Sequence, residues 1–131
     1  MKSTKDVKHS PAPGADERAV LDALRKGYHE RDAALLASVY ADDVEFTICN
    51  RNNPPARRLV LRGREAVRHM FEEFCAREMT HRIGHPTIGD GTLAFSAHCH
   101  YPDGCQVMGL NVLTLRNGQV ASEINVACWD E

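Results

Sequence analysis

Apolar residues recur at helical spacing in three stretches of the chain. Val20, Ala23, Leu24, Gly27 and Tyr28 make one stripe, opened by Asp16 and Glu17 where acids favour a helix N-terminus. Asp32 can cap a second, shorter helix over residues 33–40. Ala41, Asp42 and Asp43 end it, with the two acids expected to hold turn amides. Residues 44–49 alternate loosely, are rich in β-formers, and read as a strand. An Asn- and Pro-bearing loop over residues 51–56 leads to a brief strand at 59–61, which Gly63 stops. Val67, Met70, Phe71, Phe74 and Cys75 then mark a third amphipathic helix.

The last third carries the clearest signal. Asp90-Gly91, Asp103-Gly104 and Asn117-Gly118 each lie between β-like runs. Asn-Gly and Asp-Gly supply the positive φ angles that hairpin turns require. They predict a four-stranded antiparallel meander over residues 80–89, 92–101, 105–116 and 119–129. Helices must then cover one face of the sheet, an α+β arrangement. A long sheet of this kind is expected to curl and leave a conical pocket under three helices. Residues 1–14, rich in Lys and Pro and including His9, read as a mobile tail; residues 15–131 read as one domain.

Composition narrows the partners. A formal net charge of -2 gives no nucleic-acid footprint. Arg57, Arg58, Arg62 and Arg64 read as a solvated face. No apolar run approaches the roughly 20 residues of a membrane helix. The N-terminus lacks the apolar centre of a signal peptide, so a cytoplasmic location is expected. Five cysteines, an odd number without tight spacing, read as small apolar residues in a reducing compartment.

Four histidines form a candidate cluster. If Asp90-Gly91 is a two-residue turn, His81 pairs with His100 and His85 with Ser96, and His81, His85, His98 and His100 share one face. Imidazoles at strand spacing suit zinc or copper. That face lies opposite Leu93, Phe95, Ala97, Cys99 and Tyr101, which look like pocket lining. A pH-sensitive interface patch is therefore expected in place of a metal site. No cofactor or metal is expected.

On the last strand Glu123, Asn125, Ala127 and Trp129 share one face, while Val120, Ser122, Ile124, Val126 and Cys128 share the other. Hydrophobic patterning alone would bury the second set and expose Glu123.

The element order resembles the nuclear-transport-factor-2-like superfamily. Three pieces carry a resemblance to its SnoaL-like, polyketide-cyclase and ketosteroid-isomerase branch. They are Tyr40-Ala41-Asp42-Asp43-Val44, Leu61-Arg62-Gly63-Arg64-Glu65-Ala66-Val67, and Leu113-Thr114-Leu115-Arg116-Asn117-Gly118-Gln119-Val120. The resemblance implies a cone-shaped α+β barrel fold, cystatin-like, with a small-molecule pocket. It also implies a homodimer through the outer sheet face, and it turns Glu123 and Asn125 into the cone. Asn111 matches the acid of ketosteroid isomerases that donates to the substrate oxygen. The ketosteroid-isomerase tyrosine aligns with Leu24, and its general base falls near Ile48 or Cys49, so ketosteroid isomerase activity is not expected. The cyclase His and Asp correspond to Glu123 and Asn125. Two functions follow. One is a cofactor-free acid–base isomerase, cyclase or dehydratase acting on an apolar carbonyl or hydroxyl compound. In it Glu123 moves the proton, Asn111 and Asn125 hold the polar end, and Tyr28, Phe71, Phe95, Tyr101 and Trp129 line the pocket. The other is a non-catalytic binding or assembly domain of the same fold.

Overall fold

The computed structural model describes residues 14–131; the tail expected over residues 1–14 lies outside them but for Gly14. Helix α1 (Ala15–Glu30) begins at Gly14 and buries Val20, Leu21, Leu24, Gly27 and Tyr28 on one face. It ends at Arg31, whose backbone is left-handed. Asp32 then caps α2 (Ala33–Ser38), its carboxylate accepting from the Leu35 amide at 3.0 Å. Helix α2 stops two residues earlier than the sequence suggests. Tyr40 instead opens strand β1 (Tyr40–Cys49), because it pairs with Val120 in the sheet. Asp42 and Asp43 stand exposed on β1 and pair with Arg64 and Arg116. They do not serve turn amides. A 3-10 turn (Pro55–Arg57), strand β2 (Leu59–Arg62) and helix α3 (Arg64–Cys75) follow.

Strands β3 (Thr80–Ile88), β4 (Thr92–His100), β5 (Gln106–Arg116) and β6 (Gln119–Trp129) form the expected meander. Asn117 and Gly118 both have positive φ, the geometry of a tight hairpin between Arg116 and Gln119. The sheet has six strands in the order β2-β1-β6-β5-β4-β3, and only β1 and β6 run parallel. It is open, with β2 and β3 as edges, so the barrel expected from the resemblance does not close.

The core lies between the helices and one face of this sheet. Helix α1 packs on β3, β4 and β6, α3 on β1 and β2, and α2 bridges α1 and α3. Leu24, Leu36, Leu93 and Leu113 are fully buried there. Each side chain contributes roughly 1.5–3 kcal/mol of hydrophobic stabilisation.

Two bulges reset which side chains face the core. Pro86 has no amide to give the ladder and His85 is left-handed, so the β3–β4 register shifts between Gly84 and Thr87. His81 now pairs with Cys99 instead of His100. A one-residue shift turns a side chain to the opposite face. His81 therefore packs inward against Tyr28 and Phe74, and the expected four-histidine face does not form. His98 and His100 stay together on the outer face with ring centroids 4.4 Å apart. The second bulge, at Ala121, sets Leu115 against Val120 but Thr114 against Ser122. Val120 thereby joins Glu123 on the inner face, and both are buried.

Candidate functional site

A cavity of about 560 Å³ opens between the sheet and the helices. Its walls are apolar on both sides: Ile48, Val107 and Ala127 from the strands, Met70, Phe71 and Phe74 from α3. At the mouth stand Asn50, Asn52 and Asn53, with Glu73 and Arg77. The Asn50 side chain ties this rim together by accepting from the amides of Asn52 and Asn53 and from the Asn53 side chain.

At the inner end the cavity meets two amides. Asn111 on β5 and Asn125 on β6 are register partners, and Asn125 Nδ2 donates to Asn111 Oδ1 at 2.8 Å. Asn111 is only 3% exposed, and its Nδ2 finds no acceptor among the described residues. A buried polar atom left unpaired costs about 1–3 kcal/mol, so a ligand oxygen there removes a penalty as well as forming a bond.

Glu123 lies one step further in on β6. It is 1% exposed and is absent from the cavity wall. The Tyr40 hydroxyl donates to its Oε1 at 2.5 Å, while Oε2 has no partner among the described residues. Burial raises its carboxyl to about 8, and the Tyr40 hydrogen bond offsets only part of that. The carboxyl is thus mostly protonated at neutral pH and can either give or take a proton near it. Burial, and after it the nearby Glu123 charge, pushes the Tyr28 and Tyr40 hydroxyls well above the usual tyrosine range.

A thiol–imidazole pair stands on the β3–β4 side. His81 Nδ1 and Cys99 Sγ share a contact of 3.1 Å, with the imidazole stacked on Phe74 at 4.6 Å. Burial lifts the Cys99 thiol to about 11 and lowers His81 to about 4, so both are neutral at physiological pH. Among the described residues no group of three or more His, Cys, Asp or Glu is placed to hold a metal.

The residues singled out from the sequence divide three ways. Asn111, Asn125, Tyr28, Phe71, Tyr101 and Trp129 line the cavity. Glu123 lies beneath its inner end. Phe95 is a correction: it belongs to the core, because it sits opposite Asn111 on β4, inward of the wall residues Ala97 and Cys99. Tyr40 was missed as the partner of Glu123, from which 83 positions separate it. The Asn rim stands in a loop directly after the end of β1, a place where binding residues concentrate and the one signal the sequence offers for it.

A family model described as a SnoaL-like domain matches residues 18–123. No curated protein is matched by the sequence. Among solved structures, an NTF2-like protein of unknown function from Mesorhizobium loti superposes with a TM-score of 0.75 at 15% identity, over 92% of this chain and 97% of that one. A Kribbella flavida protein provisionally assigned as a ketosteroid isomerase gives 0.72 at 17% identity, over 88% and 78%. The epoxide hydrolase/cyclase-like enzyme SalBIII, with a role in pyran ring formation in the polyether salinomycin, gives 0.65 at 21% identity, over 88% and 90%. At such identities the likeness is one of fold.

Proposed function

Because the chain belongs to the SnoaL-like domain family, whose fold is shared by isomerase- and cyclase-type enzymes and by binding proteins, we propose that its cavity takes an apolar small molecule bearing a carbonyl or hydroxyl oxygen. The observation that carries this reading is Asn111 at the end of an apolar cavity, 3% exposed and with its amide nitrogen Nδ2 unpaired among the described residues. A core built only for packing would not leave an amide so. Asn111 donates to the ligand oxygen, Asn125 holds Asn111 in place, and Tyr28, Phe71, Tyr101 and Trp129 enclose the apolar body.

The catalytic form of the reading adds Glu123. With its carboxyl held at about 8, Glu123 keeps an ionised fraction near neutral pH. That carboxylate takes a proton from a carbon beside the carbonyl, and the carboxylic acid so formed returns it elsewhere, an exchange that serves isomerisation, cyclisation or dehydration. No cofactor enters this chemistry. Glu123→Gln keeps the side-chain shape and removes the exchange. In a screen of apolar ketones and alcohols, turnover of any compound should vanish in this variant while binding persists; retained turnover would remove Glu123 from the mechanism. Asn111→Ala should weaken binding by about tenfold, the cost of one hydrogen bond.

A second reading, binding without turnover, is favoured by the absence of Glu123 from the cavity wall. Ligands that bind but are never converted would decide for it.

The same proposal takes residues 15–131 as one domain working as a homodimer through the outer sheet face, in the cytoplasm. Five free thiols suit a reducing compartment. Among the described residues no helix is long and apolar enough to cross a membrane.

A further inference from the structure

Register places three very small residues side by side across the sheet. Ala97 on β4 pairs with Gly109 on β5, and Gly109 pairs with Ala127 on β6. All three line the cavity. The row spans three strands, about 10 Å across at the usual strand spacing. Larger side chains bound it on either side. Cys99, Val107 and Trp129 form the next row toward the mouth, and Phe95, Asn111 and Asn125 the next row inward.

Side chains stand nearly perpendicular to a sheet. A row bearing only methyl groups and a hydrogen therefore exposes the peptide planes as a flat floor. Opposite it α3 supplies Phe71 and Phe74, and α1 supplies Tyr28, held in edge-to-face contacts at 6.0 and 5.9 Å from those two rings. Floor and ceiling make a slot. Gly109 serves a second purpose: a Cβ there would lie 3.3 Å from Asn125 Nδ2, the atom that bonds Asn111. The smallest residue thus keeps the floor flat and leaves the amide pair undisturbed.

An independent feature of the same cavity marks where a ligand's polar atom goes. Asn111 borders the small-residue row and has its Nδ2 unpartnered while 3% exposed. A flat ring lying on the floor brings an oxygen on its edge to that amide. A puckered ring, with axial hydrogens on both faces, cannot approach the peptide planes as closely and forfeits dispersion contact over its whole face.

We infer that the cavity selects planar, conjugated ring systems that carry a carbonyl or hydroxyl oxygen on one edge. The ring lies on the Ala97–Gly109–Ala127 floor, and the oxygen accepts from Asn111. This rests on the pocket reading above and narrows it.

The test uses three probes of one skeleton, titrated into the full chain and followed by the Asn side-chain and indole N–H signals in NMR. They are 2-acetylnaphthalene, its saturated counterpart 2-acetyldecalin, and 2-ethylnaphthalene, which is flat but lacks the oxygen. The flat ketone should bind at least about tenfold tighter than either of the others. Ala127→Val raises one side chain from the floor and suits a strand. It should weaken the flat ketone about tenfold and the decalin ketone less than about threefold. Gly109→Ala, which also crowds Asn125, should act in the same direction. Equal affinity for the flat and puckered ketones, or equal losses in Ala127→Val, overturns the planar selection while the pocket reading stands. No binding of any probe by the parent chain overturns both.

Discussion

Glu123 titrates near 4.5 when the chain is unfolded and at about 8 in the fold. Between those values the folded state keeps a proton that the unfolded state has released. Stability therefore falls as pH rises through this window and levels off above it; below 4.5 the penalty is absent. His81 works from the other side. Its imidazole is lowered from 6.5 to about 4, so the unfolded state binds a proton the fold refuses, and stability falls as pH drops through that range. Glu123→Gln removes only the first effect. Denaturant unfolding at pH 5 and pH 9 should find the variant more stable at pH 9 by a few kcal/mol, with the difference shrinking toward pH 5. A parent and variant whose stabilities differ equally at both pH values would show that Glu123 is not held protonated. At this scale the sequence marked Glu123, Asn111 and Asn125, but hydrophobic patterning argued for an exposed Glu123. The Ala121 bulge explains why: Val120 shares the inner face with it, so the alternation seen in sequence breaks between them.

The helices meet through close-fitting glycine. A Cβ built on Gly27 would lie 2.7 Å from the Cγ and Cδ2 atoms of Leu36. Leu36 is fully buried, so it has no room to withdraw. Alanine in mid-helix is worth about 1 kcal/mol over glycine, whereas overpacking a core costs about 1–3 kcal/mol. Gly27→Ala should therefore lower the unfolding free energy in a urea titration; a more stable variant would mean that α1 and α2 separate freely. The elements themselves were readable where their causes are local. The Asp32 cap, the Gly63 stop and the Asn117-Gly118 turn act through neighbouring backbone groups, and each appears at its expected position. Helix α2 ended early for a reason that is not local, the pairing of Tyr40 with Val120.

Across the whole molecule the outer sheet face stays open. Met108, Leu110 and Val112 on β5 and Ile124 and Val126 on β6 are 45–62% exposed and form adjoining rows, with Leu110 beside Val126. A contiguous apolar patch of this kind marks an interaction surface. In the proposed homodimer a second copy covers it. Leu110→Lys combined with Val126→Lys should convert a dimer to a monomer in sedimentation equilibrium without loss of helix signal in circular dichroism. A parent chain that sediments as a monomer at micromolar concentration would sink the dimer. The sequence by itself determined the α+β class, the element order and the meander, because turn dipeptides, caps and periodicity depend on residues a few positions apart. Only the tertiary structure decided that β1 runs parallel to β6, that the sheet stays open, and that Tyr40 reaches Glu123. It alone turned His81 and Val120 inward, since a proline without an amide and one extra residue shift the register between strands, and register is set by pairing across the sheet.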